Sequence, residues 1–109
     1  MKTYSVYFMP AAIKDLENIY GYIAKQSGFP ERAWGYMEKL KLKCQELERS
    51  PIRGRQRNDL MDGLRVYPLD GRTVAAFLVD ETKQTVCILN IFYGGRDYEA
   101  LLTSSQDEL

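Results

Sequence analysis

The sequence predicts a small α+β domain with the element order β-α-α-β-β-β. In it, an N-terminal strand and an antiparallel helical hairpin pack on a small, mainly antiparallel sheet. Two patterns predict this: apolar residues recur at helical spacing in the first half of the chain and at strand spacing in the second. A chain of 109 residues, 45% hydrophobic and 28% charged, is sized for one globular core. We therefore expect a single domain over residues 1–103, followed by a short acidic tail over residues 104–109.

The first strand and the first helix are predicted close to the N-terminus. Residues alternate in character from Tyr4 to Phe8, which is typical of a strand. Pro10 suits the first turn of a helix, and Gly28 suits its end. Between them the apolar positions recur every three or four residues: Ile13, Leu16, Ile19, Tyr20 and Ile23.

A second helix is predicted from Pro30 to the Ser50-Pro51 pair. Its apolar positions are spaced by three or four residues: Ala33, Met37, Leu40, Cys44 and Leu47. Because only the segment SGFP joins the helices, we expect an antiparallel hairpin with one shared apolar seam. That seam is either core, which is the commoner case, or a groove for a partner. Trp34 and Tyr36 lie off the seam and are better candidates for an exposed contact.

Three strands are predicted after the basic loop PIRGRQRNDLMDG. The run LRVYPL places Leu64 and Val66 on one face and Arg65 and Tyr67 on the other. Pro68 marks an edge strand or a strand end. The sequence DGR predicts a hairpin turn, and ETKQ predicts a second turn. The runs TVAAFLVD and TVCILNIFY are apolar on both faces, as in strands at the middle of a sheet.

Charge is unevenly distributed, although the net charge is zero. Six arginines and three aspartates lie between Arg49 and Arg72, whereas four acids and no base lie between Asp97 and the C-terminus. This predicts a surface that meets an anion or an acidic partner. The chain has no histidine, which excludes histidine-based catalysis and metal sites. No phosphate-loop, dinucleotide or metal-ligand motif is present, so we expect neither a cofactor nor a metal.

The same reading predicts a cytoplasmic protein. The N-terminus MKTYSVYFMP lacks the pattern of a secretory signal, and no apolar run is long enough to cross a bilayer. Cys44 and Cys87 have no CxxC spacing and are interpreted as reduced thiols.

Three arginines are candidates for holding phosphate groups. Arg65 lies on a predicted strand, Arg72 begins the next strand, and Arg96 follows two glycines at the end of the last strand. In a compact sheet, two or three of these guanidinium groups could converge on one face and bind phosphates bidentately. The alternative is that each arginine pairs with an acid: Asp59, Asp62 or Asp97.

Proton transfer has weaker candidates. Arginine is a poor proton carrier, because its pKa lies above about 12. Tyr67, Tyr93 and Tyr98 are possible proton donors, although a tyrosine near a sheet more often serves packing. Nothing in the sequence supplies an obvious base.

Taken together, three segments resemble the RelE/ParE toxins of bacterial toxin–antitoxin pairs, and the ParE branch most closely. The segments are AAIKDLENIYGYIAKQSG, CQELERSPIRGRQRNDLMDGLRV and VCILNIFYGGRDYEALL. The resemblance covers roughly residues 3 to 102 and implies the same strand–hairpin–sheet fold. RelE-like members cut messenger RNA on the ribosome, whereas ParE-like members typically poison DNA gyrase.

The resemblance also implies residue roles. Arg65, Arg72 and Arg96 match three basic positions of the RelE-like site. Gly63 stands where a further lysine is expected. Leu102 stands at the late tyrosine position, with Tyr98 one turn earlier. These departures affect the acid/base groups and not the phosphate-holding groups, which disfavours efficient ribonuclease chemistry.

Three functions therefore remain open from the sequence. The first is a non-enzymatic inhibitor of DNA gyrase that causes growth arrest. The second is a metal-independent mRNA endonuclease using Arg65, Arg72, Arg96 and Tyr98. The third is a toxin-like binding protein whose toxicity has decayed.

For each we expect a hetero-oligomer with a ribbon-helix-helix, ParD-like antitoxin, whose C-terminal segment wraps the toxin. DNA would then be contacted only through the antitoxin. The candidate antitoxin- or target-binding residues are Trp34, Arg55, Arg57, Arg65, Arg72, Tyr93 and Arg96.

Overall fold

The computed structural model describes residues 3–94. Its elements are β1 (Ser5–Phe8), α1 (Pro10–Ser27), α2 (Pro30–Gln45), a short 3-10 helix (Glu46–Glu48), β2 (Arg55–Gln56), β3 (Arg65–Pro68), β4 (Thr73–Asp80) and β5 (Thr85–Tyr93). The α+β class is confirmed, with the two-residue strand β2 added inside the basic loop. The predicted acidic tail and the candidate residues Arg96 and Tyr98 lie outside the described residues.

Both helices begin as the sequence predicts. Pro10 and Pro30 occupy the first turn of α1 and α2, where a backbone N–H has no partner within the helix. Gly28 ends α1 with a φ of +74°, and its N–H donates to the carbonyl oxygen of Ala24 at 3.0 Å. Neither helix has the length and apolar character that a membrane-spanning helix requires.

The strand order within the described residues is β1-β5-β4-β3-β2. Strand β1 runs parallel to β5, with Ser5 opposite Thr85, and every other pairing is antiparallel. The first strand therefore pairs with the last one. Strand β5 lies inside the sheet, as its apolar character on both faces predicts.

The two faces of the sheet carry cores of different size. The face packed against α1 and α2, the helix-covered face, holds the larger cluster of buried residues, centred on Leu40, Phe77 and Ile88. The opposite face, the outer face, holds a smaller cluster. Its buried members are Leu60, Leu64, Val66, Ala76 and Phe92. Because Leu60 belongs to the loop before β3, that loop folds over part of the outer face.

A bulge in β5 is tied to α1 by one carboxylate. The β4–β5 register shifts between Ala76 and Phe77, which are opposite Asn90 and Ile88 respectively. Asp15 on α1 accepts the backbone N–H of Ile91 at 2.9 Å and the side-chain amide of Asn90 at 3.2 Å. This carboxylate satisfies a backbone donor beside the bulge and fixes α1 against β5.

The predicted seam residues of the second helical segment all belong to the core, whereas those of α1 are divided between buried and exposed positions. All five predicted seam positions from Ala33 to Leu47 are buried. On α1, Ile19 is buried whereas Ile13 is 47% exposed. Tyr36, expected to be an exposed contact, is half-buried against the larger core, which corrects that expectation.

Candidate functional site

The register of β2 assigns two arginines of the basic loop, Arg55 and Arg57, to the outer face. Arg55 lies opposite Val66, and Gln56 lies opposite Arg65. The N–H of Arg57 donates to the carbonyl oxygen of Leu64 at 2.8 Å, which continues the same ladder. Directly opposed residues share a face. Arg55 and Arg57 therefore belong to the outer face with Val66 and Leu64, whereas Arg65 belongs to the helix-covered face.

A glycine holds β2 against β3. Gly54 has a φ of +86°, and a Cβ built there would lie 2.5 Å from the carbonyl oxygen of Val66. Only glycine permits this approach of two backbones. The position of Arg55 at the sheet edge therefore depends on the residue before it.

Arg65 contacts the loop that follows the 3-10 helix. Its Nη1 donates to the carbonyl oxygen of Ile52 at 3.1 Å. On the same face, the hydroxyl of Tyr67 donates to Oε2 of Glu46 at 3.2 Å, and Arg53 contacts that carboxylate at 3.3 Å. The hydroxyl of Tyr67 is thus part of a hydrogen-bond network with Glu46 and Arg53. The predicted alternation, with Arg65 and Tyr67 on one face of β3 and Leu64 and Val66 on the other, is confirmed.

Arg72 lies at the other end of the β3–β4 hairpin. Its backbone N–H donates to Oδ1 of Asp70 at 2.8 Å, and its carbonyl oxygen accepts the N–H of Gly94 at 2.9 Å. Arg65 is opposite Phe77, five residues further along β4, or about 16 Å at the usual strand rise. The structure therefore does not bring Arg65 and Arg72 together, because the hairpin register separates them.

Gly94 directly follows β5 and has a φ of +77°, a backbone conformation that glycine adopts readily. Since the N–H of Gly94 donates to the carbonyl oxygen of Arg72, the end of β5 lies beside that arginine. The position of Arg96 lies outside the described residues.

The arginines differ in their ionic partners. Arg57 binds Asp59 bidentately, with Nε–Oδ1 at 2.9 Å and Nη2–Oδ2 at 2.7 Å, and this pairing lowers the pKa of Asp59. Between residues 3 and 94, no carboxylate lies within ion-pairing distance of Arg55, Arg65 or Arg72. Pairing with an acid, the alternative that the sequence leaves open for the three phosphate-binding candidates, is therefore not found for Arg65 or Arg72 among residues 3–94, and Asp59 pairs with Arg57 instead.

The lysine position before Arg65 is occupied by a turn glycine. Gly63 has a φ of +80°, and its N–H donates to Oδ1 of Asn58 at 2.8 Å. A side chain at this φ would be strained. The local backbone therefore favours glycine over the lysine of the RelE-like pattern.

Tyr93 belongs to an aromatic cluster. Its ring packs edge-on against Tyr22 and Tyr36, with centroid distances of 5.8 and 5.9 Å. The hydroxyl of Tyr36 donates to Oδ2 of Asp70 at 2.5 Å and shares a 2.5 Å hydrogen bond with Thr73. Burial, followed by the hydrogen bond to Asp70, raises the pKa of Tyr36 to about 12. Tyr36 is therefore a poor proton donor near neutral pH.

An apolar groove runs between α1, α2 and the end of β1. Its volume is about 500 Å³. Its lining residues are Phe8, Ile13, Leu16, Glu17, Tyr20, Trp34, Met37 and Lys41. Trp34 is 59% exposed and lies at this groove, consistent with the expectation of an exposed contact.

The groove is the part of the site that sequence reasoning located least well. The α1 stripe from Ile13 to Ile23 was interpreted as one seam, although it serves both core and groove. The available signal was the width of the stripe, because Ile19 and Tyr20 are adjacent in sequence and widen it, whereas the members of the second stripe are all three or four residues apart. Glu17 and Lys41 lie at the rim of the groove, and no sequence pattern indicated that they would.

Comparison with known proteins places this fold. Residues 6–98 match the family described as ParE toxin of type II toxin–antitoxin system, parDE. The chain is similar to a structure of the chromosomal ParDE toxin–antitoxin system from P. aeruginosa, with a TM-score of 0.72 and 22% identity. That alignment covers 86% of this chain and 99% of the other.

A second similar structure is the RelBE2 toxin–antitoxin complex from Mycobacterium tuberculosis, with a TM-score of 0.53 and 23% identity. It covers 84% of this chain and 98% of that one. No curated protein sequence matches significantly. The structural likenesses establish a shared fold, and the family match extends over most of the chain. The chain therefore belongs to the ParE toxin family of type II toxin–antitoxin systems.

Proposed function

We propose that this ParE-family toxin inhibits DNA gyrase by binding and is neutralised in the cytoplasm by a ParD-like, ribbon-helix-helix antitoxin. Support comes from the family match over residues 6–98. The structurally similar proteins belong to a ParDE toxin–antitoxin system and to a RelBE2 toxin–antitoxin complex, which supports an antitoxin partner for this chain as well.

The observation that favours binding over RNA cleavage is the separation of Arg65 from Arg72. A phosphate held for in-line cleavage needs cationic groups and a proton carrier around one reacting centre. In this chain the two arginines lie about 16 Å apart along the strands. Gly63 replaces the expected lysine, and the hydroxyl of Tyr67 is engaged by Glu46.

Two surfaces suit an antitoxin segment that is both apolar and acidic. The groove beside Trp34 would receive apolar side chains. Arg55 on the outer face and Arg65 on the helix-covered face lie near the same sheet edge. An acidic segment that crosses this edge would reach both arginines.

The deciding experiment runs a gyrase supercoiling assay beside a ribosome-dependent mRNA cleavage assay on the same purified protein. We expect inhibited supercoiling and intact message. Arg72→Ala should weaken the inhibition, whereas Arg49→Ala should not, because Arg49 is an exposed arginine outside the candidate set. Unchanged supercoiling at excess protein would contradict the proposal. Cleavage that disappears in Arg65→Ala or Arg96→Ala would assign the protein to the ribonucleases instead.

The antitoxin is tested through the adjacent reading frame. We expect a short gene encoding a ribbon-helix-helix domain with an acidic, amphipathic C-terminus. Its product should raise the melting temperature of the toxin, because a ligand that binds only the folded state stabilises it. A melting temperature that does not change would contradict the pairing. Expression of the toxin alone that leaves growth unaffected would indicate decayed toxicity.

A further inference from the structure

The rim of the apolar groove carries one acid and one base on opposite walls. Glu17 is exposed on α1, and Lys41 is exposed on α2. Resting on the proposed function, in which an antitoxin segment covers this groove, we infer that Glu17 and Lys41 select the partner. The segment they favour is an amphipathic helix with a basic flank facing α1 and an acidic flank facing α2.

The dimensions of the groove fit a helix. Its α1 wall runs from Ile13 through Leu16 to Tyr20, which lies seven positions further along the helix, or about 10 Å of helix rise. That length equals two helical turns, the span of anchors at positions i, i+3 or i+4, and i+7 of a docked helix. Two antiparallel helices form the long walls, so a third helix can pack its apolar ridge between them.

The two rim charges lie at the same level of the hairpin, one on each wall of the groove. Glu17 precedes Gly28 by 11 residues and Lys41 follows Phe29 by 12, so the antiparallel hairpin brings them to the same level. In the part of the chain that the structure describes, they form no ion pair with each other. The Lys41 ammonium instead lies 5.7 Å from the centroid of the ring of Trp34, which also lines the groove.

Two charges that do not form an ion pair with each other act on the choice of partner more than on the total affinity for it. Charges flanking an apolar helix seam decide which helix pairs with which, through attraction to the right partner and repulsion of the wrong one. A helix with acids on both flanks would meet Glu17 with a like charge. A helix with bases on both flanks would meet Lys41 in the same way.

The test uses designed helical peptides of about 20 residues. All share one apolar face. The first carries acids on both flanks, the second carries bases on both flanks, and the third carries one of each. Binding is followed by the fluorescence of Trp34, which is the only tryptophan of the chain and lies in the groove. Each peptide is titrated against the wild-type protein, Glu17→Lys and Lys41→Glu.

We expect each protein to prefer a different peptide. Wild type should prefer the mixed peptide, Glu17→Lys the doubly acidic peptide and Lys41→Glu the doubly basic one. Each mismatched flank should weaken binding about threefold, as for an exposed charge pair. The preferences should vanish at about 1 M salt, where charges are screened beyond about 3 Å. Both substitutions are at exposed positions, and circular dichroism verifies that each variant is folded.

Two results would overturn the inference. If all three proteins rank the peptides in the same order, the rim charges do not select the partner, although the groove still binds a helix. If no peptide changes the Trp34 fluorescence, the groove does not take a helix. Neither result bears on gyrase inhibition, which the supercoiling assay measures separately with the toxin alone.

Discussion

The helix-covered face and the outer face of the same sheet differ in what stabilises them and in what they offer a partner. The helix-covered face buries the larger core and leaves an apolar groove beside Trp34. The outer face buries a smaller cluster beneath a loop and carries Arg55 and Arg57. The apolar groove and two of the candidate arginines, Arg55 and Arg57, thus lie on opposite sides of one layer, whereas the candidate Arg65 lies on the helix-covered face.

This difference has a physical origin. A helix pair covers a sheet face with two long apolar stripes, whereas a loop covers it with a few side chains. The helix-covered face is therefore expected to contribute most of the folding free energy. The outer face is expected to contribute little, so its residues are freer to serve binding.

The largest expected effect tests this asymmetry with one substitution on each face. Leu40→Ala removes a fully buried side chain from the larger core and should lower the free energy of unfolding by about 4 kcal/mol. Leu60→Ala on the outer face should lower it by about 2 kcal/mol, because a loop can relax into the space that is left. Urea denaturation measures both, and equal losses would refute the asymmetry.

The second prediction concerns the groove. Trp34→Ala should weaken antitoxin binding about 30-fold, or about 2 kcal/mol, as for a central aromatic contact. Leu42→Ala is the matched control, since Leu42 is 64% exposed on α2 and does not line the groove. It should leave the affinity unchanged. Calorimetric titration of both variants gives the comparison, and equal affinities would remove Trp34 from the interface.

The third prediction concerns the bulge in β5. Asp15→Ala would leave the N–H of Ile91 without its acceptor and should lower the free energy of unfolding by about 2 kcal/mol. Asp15→Asn keeps a side-chain oxygen at the same place and should lose less than half as much. The amide hydrogen of Ile91 should exchange faster in the alanine variant alone. Equal losses in the two variants would show that charge, and not the hydrogen bond, matters.

The smallest effect concerns the hydroxyl of Tyr36 and depends on pH. Tyr36→Phe should lower the free energy of unfolding by about 1 kcal/mol near pH 7. The control is Tyr22→Phe, which keeps an aromatic ring beside Tyr93 and should have no measurable effect.

The acid side of this dependence follows from Asp70. Burial alone would raise the pKa of Asp70, but hydrogen bonds from Tyr36, Arg72 and Thr73 lower it below its usual value. The ionised form therefore stabilises the fold above the unfolded pKa of about 4, and this stabilisation is lost as pH falls through the folded value. The difference between wild type and Tyr36→Phe should shrink below about pH 4.

On the alkaline side, the pKa of Tyr36 is raised from 10.0 to about 12. Folding therefore favours the neutral phenol, and wild type should lose this stabilisation as pH rises from 10 to 12. Tyr36→Phe should lack that loss. Denaturation profiles of the two proteins that remain parallel from pH 3 to pH 12 would contradict both signs.

Much of the local structure could be predicted from the sequence. Pro10, Gly28 and Pro30 mark helix ends through their own backbone restrictions, and no distant residue is needed for that. The strands β4 and β5 are recognisable because they are apolar on both faces.

The candidate site was less predictable, because it depends on register. Alternation correctly predicted that Arg65 lies on the other face of the sheet from Leu64 and Val66. It could not show that Arg65 pairs with Phe77, which lies five residues along the chain from Arg72. The strand β2 was missed for a similar reason, since Arg55-Gln56 is paired only because Gly54 lets it approach Val66.

By itself, the sequence determined the α+β class, the helical hairpin, the interior strands and the likeness to the ParE family. The tertiary structure alone decided that β1 pairs with β5, that Arg55 and Arg65 lie on opposite faces, and that Asp15 supports a bulge. Periodicity and capping act over a few neighbouring residues and therefore leave a readable pattern. Pairing between distant segments is chosen by the packing of the whole core, which no single stretch of sequence records.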